Sequence, residues 1–425
     1  MELAGAPSRP VGLLRLAAVG AVDDGKSTLI GRLLHDSDQL TDDQLVALES
    51  ASRDRGQKRL NLSYATDSLR AERERGITID VAYRYATTAR RKLVIADCPG
   101  HLEYTRNMAT GASTADLVLV VVDVTRGLRE QTRRHTALAM LFGVRHLLVA
   151  VNKMDLVDWE ERRFRELVPK MSELARRLGG ALVEAVPTSA LLGDNVVESS
   201  TRATWYDGPT VLEALERAPT STFAARGTTS ARLPVQLVIA NAQAAPRYVG
   251  QLAGSGLRVG DEVVVLPEGR RTTISAIETL DGPVDRAIAP LSISLELAEP
   301  GELGRGDLIA AAAAPPSLVL EVTATVCWFA KRRLRAEQSF LIKHTTRVTQ
   351  AKVLGVESKL DLETLNMVPA TELAANEIGV VRWSLADPVA VDPYRSSRVT
   401  GSFIVIDPVT KVTLAAAMVG EPTLG

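Results

Sequence analysis

The pattern of apolar and polar positions changes once along the chain. From residue 13 to about residue 217, short apolar runs alternate with stretches whose apolar positions recur at helical spacing. The runs Leu13–Gly20, Asp80–Ala86, Lys92–Asp97, Leu117–Asp123, Arg145–Val151 and Leu182–Pro187 are rich in Val, Ile and Leu with little alternation, as parallel strands covered on both faces require. Between them, Lys26–Leu34, Thr41–Ser52, Glu130–Phe142 and Asp158–Leu178 carry the helical period. Gly208-Pro209-Thr210 opens a last helix, with Pro209 suited to its first turn. Residues 1–220 are therefore expected to form a doubly wound α/β domain.

Beyond this point the helical period disappears. Pro219–Ser230 is polar and small and reads as a linker. Leu233, Val235, Leu237 and Ile239 then alternate with other residues, and Glu262–Leu266, Thr272–Ile277 and Ser292–Leu297 are short strands between Gly, Pro and Asp turns. The tract Ala310–Pro316 is expected to break the chain before a second β-rich block. Two small β-barrels, over 231–314 and 317–425, are predicted, because closure removes exposed strand edges.

Composition narrows the function. A length of 425 residues suits about three domains of roughly 150 residues. Fifty Lys+Arg against 51 Asp+Glu leave a net charge of −1, which argues against a coat for nucleic acid or an anionic membrane. Aromatics at 4% leave few platforms for stacking bases. Cys98 and Cys327 form no CxxC and cannot build a disulfide framework, so a reducing, cytoplasmic location is expected. The apolar run Val11–Gly20 has the texture of a signal peptide, but Arg15 interrupts it and no small-residue cleavage site follows. A buried strand is expected there. The apolar stretch between Asp116 and Asp123 falls far short of the ~20 residues of a membrane span.

The first domain carries a series of ordered motifs. Gly20-Ala-Val-Asp-Asp-Gly-Lys-Ser27 fits G-x-x-x-x-G-K-[ST] between a strand and a helix. Backbone N–H groups of such a loop surround phosphate oxygens. Gly20, Ala21, Val22, Asp23, Asp24, Gly25, Lys26, Ser27 and Thr28 are thus the candidate phosphate-binding set. Lys26 would reach the β- and γ-phosphates, and the Ser27 hydroxyl would take a position on Mg²⁺. In Arg75-Gly-Ile-Thr-Ile79, Thr78 would complete the Mg²⁺ shell and sense the γ-phosphate, unless it merely enters a strand. Asp97-Cys-Pro-Gly-His101 places Asp97 to hold the metal, Gly100 to offer its N–H to the γ-phosphate, and His101 to orient the attacking water. Cys98 reads as a small packed hydrophobe.

The remaining motifs choose the base. Asn152-Lys-Met-Asp155 ends a strand; the Asp155 carboxylate can accept from guanine's N1–H and 2-amino group, which adenine cannot supply. An acceptor left unpaired by the wrong base discriminates by roughly 10⁴ or more. Asn152 would tie this loop to the phosphate loop, and Lys153 would lie along the base. Thr188-Ser189-Ala190-Leu191 would offer backbone N–H to guanine O6. Together these motifs predict a GTPase using GTP and Mg²⁺, with His101, Lys26 and Thr78 catalytic.

With these residues in place the chain resembles the translation-factor-type GTPases: a DxPGH nucleotide domain followed by two β-barrels, as in elongation factor Tu. Ala71–Asp80 resembles the switch region of the alpha-type elongation factors. More specific stretches are similar to the large, GTP-hydrolysing subunit of sulfate adenylyltransferase: Val22–Leu34, Asp80–Tyr85, Glu103–Ser113, Gln131–His135, Trp205–Thr210, Arg305–Asp307 and Val399–Asp407. Residues 241–255 follow that pattern more loosely. The resemblance implies a heteromer in which a separate small ATP-binding subunit forms adenosine 5′-phosphosulfate and diphosphate from ATP and sulfate, while this chain hydrolyses GTP to drive the transfer. Some relatives carry a further C-terminal kinase for adenosine phosphosulfate; with the sequence ending at Gly425, none is expected here.

A translation-type GTPase carrying tRNA or a release factor is the competing reading. Its support is the basic stretch Lys331-Arg-Arg-Leu-Arg335 with Lys343, Arg347 and Lys352, which could equally be a solvated hairpin.

Overall fold

The computed structural model describes residues 12–54, 60–65, 80–101, 104–180, 182–219, 230–241 and 244–422. They group into two compact units, one built on Met1–Thr220, the other on Ser221–Asp361 with Asn366–Pro422.

In the first unit a six-stranded sheet runs in the order β2-β3-β1-β4-β5-β6, with β1 Leu13–Gly20, β2 Ala82–Thr87, β3 Lys92–Asp97, β4 Leu117–Asp123, β5 His146–Asn152 and β6 Leu182–Pro187. Strands β3, β1, β4, β5 and β6 are mutually parallel; β4 is buried throughout, as are Leu14, Leu16 and Val19 of β1, Leu93 and Ile95 of β3, Leu147–Val151 of β5 and Val186 of β6. Strand β2 departs from the expected parallel arrangement: it pairs antiparallel with β3 at the edge, and Tyr83 and Tyr85 are exposed. An edge strand has one neighbour, so its alternation can face water.

Helices α1 Lys26–Asp36, α2 Asp42–Asp54, α4 Glu130–Leu141 and α5 Glu161–Arg177 follow the helical spacing. A further helix, α3 Thr105–Ser113, lies where the sequence suggested none. Its buried face consists of Thr105, Met108, Ala109, Gly111 and Ala112, too small and polar to produce a clear apolar period. A Cβ on Gly111 would lie 2.6 Å from Cys98 Sγ, so the helix sits close on the end of β3. Cys98 is fully buried there, and burial pushes its thiol up to about 12, as befits an inert packed side chain. The last helix, α6 Val211–Arg217, starts after Pro209 rather than on it. Thr210 is the cap, its hydroxyl accepting from Glu213 N while the Glu213 carboxylate accepts from Thr210 N.

The second unit is all β, as its texture predicted. In one sheet, Arg232–Pro234, Leu308–Ala311, Glu262–Leu266, Arg270–Thr279, Ser292–Leu297, Ala244–Gln251 and Leu237–Asn241 are neighbours in that order. The bridge between Arg232 and Ala253 brings its first strand back beside the end of Ala244–Gln251. Ala310 and Ala311 thus belong to a strand rather than to a chain break. Alanine has little strand preference of its own, and pairing with Val263 and Val264 decides the conformation. In the other sheet, six strands close into a barrel: Ser339–His344, Ser402–Ile406, Thr413–Val419, Ser317–Trp328, Ile378–Val391 and Arg347–Leu360, the last pairing back to the first. Trp328, Phe340, Trp383 and Phe403 meet edge to face in its core, with successive centroids 5.6, 6.1 and 6.2 Å apart. Arg232, in the first of these sheets, donates to both carboxylate oxygens of Asp392, which follows Ile378–Val391 of the barrel, at 3.0 and 3.1 Å, and both side chains are buried. Among the described residues no helix is long and apolar enough to cross a membrane.

Candidate functional site

Because five strands of the first sheet are parallel, their carboxyl ends share one edge, and β1 lies between β3 and β4 where the strand order reverses. Ligands of open α/β sheets bind at such a point. Apart from Arg75–Ile79, which lies outside the described residues, the predicted motifs lie at or directly after these strand ends.

Gly20–Ser27 leaves β1 as a tight loop. Asp23 (φ 69°) and Gly25 (φ 92°) adopt left-handed conformations, and a Cβ on Gly25 would stand 2.3 Å from Asn152 Nδ2. Ala21 N–H donates to Asp24 Oδ2, and Asp24 N–H donates back to Ala21 O, both at 3.2 Å. Val22 is half-buried and Asp23 exposed. Lys26 opens α1, followed by half-buried Ser27 and Thr28. The Lys26 ammonium pairs with the Asp97 carboxylate, and both are buried. Gly100 packs on the same loop: a Cβ there would come 2.7 Å from Gly20 O and 3.3 Å from Val22 N. His101 follows, exposed, with its ring 6.0 Å from that of Tyr104. Thr78 and most of Ala71–Asp80 lie outside the described residues.

The base-side motifs meet the phosphate loop through Asn152. Its Nδ2 donates to Asp24 O at 2.8 Å, and its Oδ1 accepts from Ala190 N at 2.9 Å. Lys153 donates to Asp23 O at 2.5 Å and to Asp123 Oδ2 at 2.8 Å. Asp155 is half-buried in the short turn Met154–Val157. Ser189 and Ala190 are buried and Leu191 exposed. Ser189 N–H donates to Asp194 O, so the N–H groups of Ser189 and Ala190 already have partners within the protein. Service to a base oxygen would require Ala190 to share or exchange its bond to Asn152.

Three residues escaped the sequence reading. Asp123 ends β4 almost fully buried. Burial opposes its charge, yet hydrogen bonds from Lys153 and Thr125 hold its carboxyl below the usual range. Arg126 lies 3.8 Å from both Asp23 and Asp123. Arg129 donates to Val22 O at 3.1 Å and stands 3.6 Å from Asp24 Oδ1. The acid closing an apolar strand was the available signal; nothing local singled out the two arginines. Asp24 itself is fully buried, and that desolvation pushes its carboxyl up to about 6 despite the Ala21 hydrogen bond and Arg129.

The arrangement fits a phosphate chain and a hard cation. The loop is too tight at Gly25 and Gly100 to admit side chains, a lysine is buried in it, and Ser27, next in sequence to Lys26, and Asp97, paired with it, carry the oxygen atoms a hard cation prefers.

Five of the seven basic residues in the stretch of the second unit are paired with acids of that unit. Arg332 pairs with Asp407 at 2.7 Å and covers the Phe340 ring, while Arg333 and Arg335 converge on Glu372. Lys352 pairs with Glu337 at 2.5 Å and Arg347 with Asp307 at 3.5 Å. Within the tripeptide Arg305–Asp307, Arg305 donates to Gln236 O and Asp307 accepts from Gly304 N, a structural use.

Comparison with known proteins agrees with this geometry. The family model described as the elongation factor Tu GTP binding domain matches residues 12–221, and that described as GTP-eEF1A C-terminal domain-like matches residues 321–420. The chain is 48% identical over 415 residues to the Bifunctional enzyme CysN/CysC of Mycobacterium tuberculosis, covering 96% of this chain and 67% of that protein. It is 45% identical over 411 residues to Sulfate adenylyltransferase subunit 1 of Aeromonas hydrophila, covering 96% and 86%. To the protein of that name in Tolumonas auensis it is 45% identical over 415 residues, covering 97% and 88%.

Proposed function

Because the chain belongs to the sulfate adenylyltransferase subunit 1 family, we propose that it hydrolyses GTP at the Gly20–Ser27 loop and thereby drives adenylyl transfer from ATP to sulfate on a separate small subunit. The observation that carries the nucleotide half of this reading is the pair of hydrogen bonds of Asn152, donated to Asp24 O and accepted from Ala190 N, which joins the phosphate side to the base side. The likeness to named relatives over nearly the whole chain supports the sulfate half.

Each described residue has a task that its position supports, while the task of Thr78 rests on the sequence motif alone. Backbone N–H groups of Gly20–Ser27 cradle the phosphates, and Lys26 exchanges Asp97 for the β- and γ-phosphate oxygens. Ser27 and Asp97 would hold Mg²⁺, with Thr78 as a third donor; when bound, the ion neutralises charge on the phosphate oxygens. Gly100 offers its N–H to the γ-phosphate, and exposed His101 orients the attacking water. Asp155 accepts from guanine, Lys153 lies along the base, and the Ser189–Leu191 segment lines it.

The partner is a small ATP-binding subunit, in a heterodimer or a higher heteromer, and the setting is cytoplasmic. The internally paired arginines at 332–335 weigh against a surface for tRNA, as does the net charge of −1. Unfavourable adenylyl transfer is driven only if GTP cleavage is gated by it, so the lone chain should hydrolyse GTP slowly and make no adenosine phosphosulfate. Adding the small subunit, ATP and sulfate should yield diphosphate and accelerate GTP cleavage in the same mixture. Stimulation by ribosomes and tRNA, with none by the small subunit, would overturn the reading in favour of a translation-type factor.

A further inference from the structure

The turn that carries Asp155 holds an unfavourable backbone. Lys153 (φ 64°), Asp158 (φ 48°) and Trp159 (φ 56°) are all left-handed and none is glycine. Such conformations crowd Cβ against the backbone, most severely for a bulky residue, and persist only where the surroundings over-determine them.

Lys153 has its own restraint, since its ammonium reaches both Asp23 O and Asp123. The far end of the turn is held differently. Met154 N–H donates to Thr188 O at 3.1 Å, and Trp159 N–H donates to Met154 O at 3.0 Å. The carbonyl of Trp159 accepts from Trp205 Nε1–H at 2.8 Å, a bond spanning 46 residues of sequence. Trp205 is itself well seated. Its ring lies 5.3 Å from Phe164 of α5 and 6.1 Å from Tyr206, whose hydroxyl donates to Pro209 O at 2.9 Å. The indole N–H thus ties an anchored aromatic cluster to the strained end of the Asp155 turn.

We propose that Trp205 is a positioning residue for guanine recognition: by holding the Trp159 carbonyl it fixes the turn that aims the Asp155 carboxylate. This rests on the reading of Asp155 as the guanine acceptor. A carboxylate that must meet N1–H and the 2-amino group together needs closer placement than one meeting N1–H alone. The ratio of GTP to ITP affinity, inosine lacking the 2-amino group, therefore reports its placement, whereas overall stability does not.

The test is Trp205→Phe in the full chain, which keeps an aromatic ring near Phe164 while removing the N–H together with part of the indole's packing surface, the latter reported separately by thermal unfolding. Equilibrium binding of GTP and ITP is measured together with thermal unfolding. GTP affinity should fall about three- to tenfold, the scale of one lost hydrogen bond, with ITP changing less than about twofold. Adding Asp158→Gly, which takes the left-handed conformation without crowding, should restore a substantial part of the loss. A lowered melting temperature with an unchanged GTP-to-ITP ratio would leave Trp205 a packing residue only and overturn the proposal. Asp155→Asn separates the two readings. If it trades GTP for xanthosine triphosphate while Trp205→Phe leaves the ratio alone, the positioning role alone fails. If Asp155→Asn leaves GTP affinity unchanged, the base reading fails and the positioning role with it.

Discussion

Asn152 donates from Nδ2 to the carbonyl oxygen of Asp24 at 2.8 Å, joining the end of β5 to the phosphate loop across 128 residues of sequence. Its other amide atom accepts from Ala190 N, so one side chain sets the spacing of three loops. Asn152→Ala should weaken GTP binding by roughly 10- to 100-fold, two hydrogen bonds at about 0.5–1.5 kcal/mol each. Gly25→Ala should act in the same direction, because its Cβ would displace Asn152 Nδ2. Isothermal titration with GTP measures both, and affinity within twofold of wild type for Asn152→Ala would remove this bridge from the site.

The buried acid in the phosphate loop predicts a pH dependence. The Asp24 carboxyl is pushed to about 6 in the folded protein against an ordinary value of 3.8. Between those values the folded state binds more protons than the unfolded state, so stability falls as pH rises from about 4 to about 6 and is then level. The full loss is on the order of 2–3 kcal/mol at about 1.4 kcal/mol per pH unit. Asp24→Asn should flatten this slope, so that the melting temperature of the variant gains on wild type between pH 4 and pH 7. A constant difference across that range would show that Asp24 does not titrate there.

Lys26 and His101 should separate binding from turnover. Lys26 is buried in the loop, so Lys26→Ala should lower affinity and turnover together. His101 is exposed at the edge of the site, so His101→Ala should leave GTP affinity within a few-fold while slowing cleavage by on the order of 10² to 10⁴. Single-turnover hydrolysis beside equilibrium binding tests both. Cleavage at the wild-type rate in the histidine variant would end the water-orienting role.

In the second unit, Arg232 and Asp392 form a buried pair to which Thr400 adds a hydroxyl donor at 2.6 Å. Arg232→Ala should destabilise this unit by about 3–5 kcal/mol, because it strands a buried carboxylate; Arg232→Met with Asp392→Leu should cost much less. Denaturant unfolding of the two variants gives the comparison, and equal losses would contradict the stranded-charge account.

The sequence by itself determined which motifs gather at the carboxyl edge of the first sheet. A loop of fixed spacing between an apolar run and a helix, and acids or amides closing later apolar runs, are local signals. The parallel sheet carries them to one edge whatever the details of packing. The same held for β1, β3, β4 and β6, whose bounds coincide with those read from their Val-, Ile-, Leu- and Ala-rich runs even where Arg15 or Glu184 interrupts them. Tertiary structure decided what depended on partners distant in sequence. Helix α3 exists because small residues let it approach Cys98, a packing advantage without an apolar period. Ala310 and Ala311 are strand because Val263 and Val264 lie beside them. The same folding neutralised Arg332, Arg333 and Arg335, whose acids Glu372 and Asp407 lie 37 to 75 residues away. It also brought Arg129 to Asp24 and Trp205 to Trp159. Residue type and spacing announce a motif because its geometry is local; a long-range contact leaves no such mark, since any of many side chains could have filled the same place.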